Sequence, residues 1–122
     1  MTSDTSQILR GIFLTSQDPQ RTASFYQNLA LLKLVQVGHG EGAYWKSDEG
    51  GVQFAIHNAT KFSAYSDPPL PGSNLTHLYF NIIDQQQFLE RLQAANLAPY
   101  DTDDVVVTVM DPDGRKVMFG TA

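Results

Sequence analysis

The chain has no cysteine, so disulfides, thiolate metal sites and cysteine nucleophiles are excluded, and His39, His57 and His77 are its only imidazoles. It has no apolar run near the roughly 20 residues of a spanning helix, so no membrane association is expected. Basic residues are scarce: 8 Lys and Arg stand against 13 Asp and Glu, a net charge of −5, which opposes the basic surface that a phosphate backbone requires. Nucleic acid is therefore not an expected partner. The start also lacks a basic stretch followed by an apolar one, so Met1–Gln7 reads as a short disordered lead and not a signal peptide, and the cytoplasm is the expected location.

What is present suits one soluble globular domain: 122 residues, 42% apolar and 17% charged. Ile8–Thr15 reads as a strand, and Asp18-Pro19 is a cap plus first-turn proline that opens a helix. Ala23, Phe25, Tyr26 and Leu29 give that helix one apolar face, fading near Leu31. Leu32–Val37, Ala43–Ser47 and Val52–His57 then read as three antiparallel strands separated by glycine-rich breaks. Asn58–Asn74, rich in proline and serine, reads as an irregular surface connection. After it the order repeats. Thr76–Ile83 is a strand, Asp84 starts a helix with Phe88, Leu89, Leu92 and Ala95 on one face, and Ala98–Thr102, Val105–Met110 and Lys116–Gly120 are strands, the last two joined by Asp111-Pro112-Asp113-Gly114.

The chain is thus an α+β protein of two βαβββ modules, 8–57 and 75–122, joined by the linker 58–74 within a single domain 8–122. A four-stranded sheet of this kind leaves an edge and an apolar face to be covered, so the modules must pair, within one chain or between two. Three segments, the helix start Asp18–Leu29 with its Phe25-Tyr26 pair, the strand beginning Thr76-His77-Leu78 and the turn Asp111–Gly114 with Arg115–Met118, resemble the vicinal oxygen chelate superfamily. That superfamily includes glyoxalase I, extradiol dioxygenases and bleomycin-binding proteins. The resemblance implies a curved, mostly antiparallel cupped sheet with helices outside, a homodimer as the expected assembly, and four metal-ligand positions falling on Gly11, Phe54, His77 and Met118. Only His77 among these can bind a metal, and a single imidazole makes no chelate. No metal or other cofactor is expected.

Strand alternation directs Gly11, Phe13 and Thr15, Val52, Phe54 and Ile56, His77, Tyr79 and Asn81, and Lys116, Met118 and Gly120 to the concave face, and Ile12, Leu14, Leu78, Phe80, Val117 and Phe119 to the helices. Tyr44 and Trp45 are neighbours on one strand, so only one can face the pocket; Trp45 has the larger stacking surface, and the alternation leaves the choice between them open. Phe13, Trp45, Phe54, His77, Tyr79 and Met118 are the expected ligand-binding set, for a small aromatic or amphipathic organic molecule. The alternative is a lyase, isomerase or dioxygenase in which His77 is the catalytic residue, as metal ligand or general base. His39, in a glycine loop, and His57, at a strand end, read as exposed polar residues.

Overall fold

The computed structural model describes residues 9–60 and 77–122. Each half supplies four strands and a helix. The first contains β1 (Gly11–Ser16), α1 (Pro19–Leu29), β2 (Val35–Val37), β3 (Tyr44–Ser47) and β4 (Gln53–Asn58). The second contains β5 (Leu78–Asn81), α2 (Gln85–Ala94), β6 (Asp101–Thr102), β7 (Val106–Met110) and β8 (Lys116–Gly120). Two separate, open four-stranded sheets result, ordered β1-β4-β3-β2 and β5-β8-β7-β6. In each, the first and last strands of the module run parallel and the other pairings are antiparallel. The α+β class and the repeated βαβββ order are as the sequence predicts. The expected lead and most of the expected linker lie outside the described residues.

Local chemistry accounts for the element ends. The Asp18 carboxylate accepts from the Arg21 N–H at 3.3 Å with Pro19 in the first turn, and Asp84 does the same for Gln87 at 2.8 Å. Both helices stop at a residue in the left-handed region, Leu31 (φ 56°) after α1 and Asn96 (φ 62°) after α2. Asparagine tolerates that conformation, whereas leucine bears a steric cost of roughly 1–2 kcal/mol. Several strands are shorter than the alternation suggests, with β2 beginning at Val35 and β6 reduced to two residues.

One core serves both halves. Tyr26 of α1 packs on Phe54 of β4 (ring centroids 5.2 Å apart) and on Phe80 of β5 (6.2 Å), while Phe119 stacks between Phe80 (5.6 Å) and Phe88 of α2 (4.4 Å). Leu14, Leu29, Ile56, Leu92, Val107, Val109 and Val117 are among its other members. Within a single chain, therefore, the two modules share a continuous aromatic interior.

A polar clasp accompanies that interior. Asp111, in the turn between β7 and β8, has a fully buried side chain. One of its oxygens accepts from the Tyr26 hydroxyl (2.8 Å) and Arg115 Nη1 (3.0 Å), the other from the backbone N–H groups of Asp113 (2.9 Å) and Arg115 (3.0 Å). The Arg115 guanidinium also donates to the Thr15 carbonyl at the end of β1. Asp113 accepts from the Gln17 N–H (3.0 Å) and from the Thr22 hydroxyl (2.7 Å), which itself contacts the Ser16 hydroxyl (2.9 Å). Burial alone would raise the Asp113 carboxyl, but hydrogen bonds from Gln17, Thr22 and Ser16 and the Arg115 charge outweigh it and hold it below the usual carboxylate value. The Tyr26 phenol is pushed far up by its burial and by the adjacent Asp111, so it stays neutral and donates.

Tyr26→Phe keeps the ring packing and leaves the buried Asp111 oxygen one partner short, which should cost about 1–3 kcal/mol. Urea unfolding should show a lower midpoint with unchanged slope. An unchanged midpoint would mean that the bond contributes nothing.

Candidate functional site

Each sheet turns one face to its helix, and no described helix covers the other, the helix-free face. In module two the strand register pairs Tyr79 with Met118 and Asn81 with Gly120, and these four share the helix-free face, opposite the core residues Phe80, Val117 and Phe119. His77 stands one residue ahead of β5 and is exposed. The Tyr79 ring lies against Gly120, where an added Cβ would stand 2.1 Å from its hydroxyl, so only glycine admits this close approach. Tyr79 donates to the Ala122 carbonyl at 2.9 Å, and the Asn81 amide donates to the carbonyls of Gly120 (3.3 Å) and Ala122 (3.4 Å).

Module one repeats the device. A Cβ on Gly11 would stand 2.8 Å from the Phe13 ring, so Phe13 occupies the space next to a residue without a side chain. Phe13 meets His57 edge-on at 5.5 Å, and Tyr44 stacks on the same imidazole at 4.6 Å with the planes 25° apart. His57 is consequently buried, not exposed as its position at a strand end suggests, and that burial lowers its pKa from the ordinary imidazole value. Further along, Gln53 Nε2 donates to Asp48 Oδ1 at 3.1 Å, and Lys46 pairs with Asp48 Oδ2 at 2.5 Å.

Four of the six expected ligand-binding residues, Phe13, His77, Tyr79 and Met118, are on the helix-free side. Phe54 and Trp45 are not. The parallel register sets Ile12 beside Phe54 and Leu14 beside Ile56, so Phe54 and Ile56 face α1, and Gln53, Ala55 and His57 take the opposite face. Burying Phe54 and Ile56 against the helix removes more apolar area from water than burying Gln53 and His57 would, and this decides the phase of the strand. Trp45 pairs with Ile56 and packs against the core, which leaves Tyr44 as the residue facing His57. Gln53 and His57 are therefore the members that the alternation misses, and between Tyr44 and Trp45, which it leaves open, the register selects Tyr44.

Among the described residues no three His, Cys, Asp or Glu side chains come together in a way that could hold a metal ion. Gly11 and Phe54 supply no donor, Gln53 is engaged with Asp48, and Met118 offers only a thioether, so the set does not fit a chelated divalent cation. What the helix-free face does offer is aromatic surface. Phe13 is 50% exposed on the first sheet and Tyr79 44% on the second, where the register pairs Tyr79 with Met118.

No protein-family model and no curated protein matches the chain. Solved structures do. A lactoylglutathione lyase from Agrobacterium tumefaciens superposes with a TM-score of 0.67 at 18% identity, over 97% of this chain and 96% of that one. TnmS3, an antibiotic binding protein from Streptomyces sp. CB03234, gives 0.67 at 16% identity, over 98% of each chain. A glyoxylase/bleomycin resistance protein/dioxygenase domain from Frankia sp. EAN1pec gives 0.66 at 15%, over 98% and 93%. At such identities the likeness shows the fold: the chain has the paired βαβββ architecture of glyoxalase, bleomycin-resistance and dioxygenase domains, that of the vicinal oxygen chelate superfamily.

Because burial lowers the folded-state pKa of His57, the fold accommodates the neutral imidazole, and the stability this contributes is present above the unfolded value of about 6.5 and is lost as the pH falls through the folded one. By NMR, His57 should titrate below 6.5, and His57→Phe should flatten the decline in stability between pH 6.5 and that value. Titration of His57 at or above 6.5 would contradict its burial between Phe13 and Tyr44.

Proposed function

We propose that this protein is a small-molecule binder of the glyoxalase/bleomycin-resistance type, holding an aromatic or amphipathic organic ligand on the helix-free face without a metal. The observation that carries this is a half-exposed ring on the helix-free face of each sheet, Phe13 beside Gly11 and Tyr79 beside Gly120, while most other described rings are withdrawn into the core. A flat ligand gains offset stacking on such rings and contact with the Met118 thioether, and His77 supplies a hydrogen bond in either direction. The neighbour described as an antibiotic binding protein supports this, since it is a small-molecule binder on the same fold. A lyase, isomerase or dioxygenase reading needs a chelated metal or a base with a defined acceptor, and among the described residues no group of three His, Cys, Asp or Glu supplies the former. No described helix is long and apolar enough to cross a membrane. We also propose a cytoplasmic location and a homodimer, in which the strongly exposed Leu31 and Ile83, which flank a cavity of about 140 Å³, give a second copy apolar surface to cover.

A thermal-shift screen of flat aromatic compounds against wild type and Met118→Trp tests the site. At least one compound should raise the wild-type melting temperature, and the variant should stay folded while losing the effect, because an open face accepts added volume. Destabilisation of the variant by about 1–3 kcal/mol would instead mark a closed, packed face. Chelator should leave the melting temperature unchanged, and one equivalent of tightly bound metal would overturn the metal-free part.

A further inference from the structure

A second cavity lies at the seam between the modules, away from the helix-free face. Along α1, Arg21, Ser24, Phe25 and Asn28 fall on one stripe. Across from them are Leu97, just past α2, and Met110, at the end of β7 beside the Asp111 clasp. The groove they enclose measures about 380 Å³, within the range of small organic ligand sites.

Its chemistry is one-sided. Phe25, Leu97 and Met110 form an apolar wall, and Ser24 and Asn28 present a hydroxyl and an amide that make no side-chain hydrogen bond among the described residues. Arg21 is exposed, and its guanidinium has no ion-pair partner among the described residues. Asp111 is the carboxylate at the groove's edge, but its oxygens are taken up by Tyr26, Arg115 and two backbone N–H groups, so it offers Arg21 no partner. The result is one uncompensated cation beside apolar surface in a chain of net charge −5.

From this we infer that the seam groove binds a small organic monocarboxylate, its carboxylate held bidentate by Arg21 with Ser24 and Asn28 as further donors, and its apolar body laid on Phe25, Leu97 and Met110. The planar guanidinium matches a carboxylate in geometry, and a single cation suits a single negative charge, whereas a dianionic phosphate would lack a second. The groove shares no residue with the helix-free site, so it stands or falls independently of the function proposed above.

The test uses 4-phenylbutyrate and its uncharged amide as probes, with the Met110 methyl signal followed by NMR in protein labelled at methionine methyls. The carboxylate should shift that signal saturably at millimolar concentration or below, and the amide should bind at least about tenfold more weakly, the size of one charge-assisted hydrogen bond. Arg21→Gln, at an exposed position, should keep the wild-type circular dichroism spectrum, weaken the carboxylate by the same factor and leave the amide unchanged. Ser24→Trp, which fills the groove, should abolish both, and Phe13→Ala should affect neither. Absence of a saturable Met110 shift overturns the inference, as does a shift that is equal for acid and amide or that survives Arg21→Gln or Ser24→Trp.

Discussion

The buried carboxylate of Asp111 is the constraint on which the arrangement of the two halves depends. A carboxylate removed from water must find compensating partners or raise the energy of the fold by several kcal/mol. Here two of them are backbone groups of its own turn, a third is Arg115, and the fourth is the hydroxyl of Tyr26 in the other module, 85 residues away. Satisfying that charge therefore fixes where α1 lies relative to β8. Arg115 extends the same demand to the end of β1, and Asp113 to the start of α1. Once α1 is held there, Tyr26 is positioned to join Phe54 and Phe80 into one interior, and each sheet is left with one face turned away from the helices.

Much of this architecture can be read from local chemistry. Asp18-Pro19 and Asp84 announce the helix starts, the period of Phe88 and Leu92 identifies the buried stripe of α2, and alternation in Leu78–Asn81 and Lys116–Gly120 assigns both faces of module two, including Tyr79 and Met118. The strand Gln53–Asn58 defeats the same method because four successive residues, Phe54 to His57, are buried, and a run covered on both faces carries no phase of its own. Its register follows from the parallel pairing with β1, a contact about forty residues distant that leaves no local trace. Phe54 reads on the wrong face and His57 as exposed for this reason, and the choice between Tyr44 and Trp45 follows only from the pairing of β3 with the same strand. The clasp was equally hidden: Asp-Pro-Asp-Gly signals a turn, and nothing in the turn announces that both of its carboxylates belong to another module.

The candidate site has a simple physical origin. Gly11 and Gly120 carry no side chain on the helix-free face, and in each case an aromatic ring from the first strand of the module takes the vacated volume. A ring resting on backbone is only partly covered, which is why Phe13 and Tyr79 keep about half of their surface in water. His57 differs from His77 in the same terms, since Tyr44 stacks on the former and Phe13 meets it edge-on, whereas the latter stands exposed just ahead of β5.

The clasp also governs how the molecule comes apart. If either module opened alone, Asp111 would lose Tyr26, Asp113 would lose Gln17 and Thr22, and the interior formed by Tyr26, Phe54 and Phe80 would be exposed on the half that stayed folded. A half-unfolded species thus bears the cost of the broken junction without the entropy gained by releasing the whole chain. Despite its duplicated plan, the protein should behave as a single cooperative unit, with the slowest-exchanging backbone amides of both modules sharing one opening free energy.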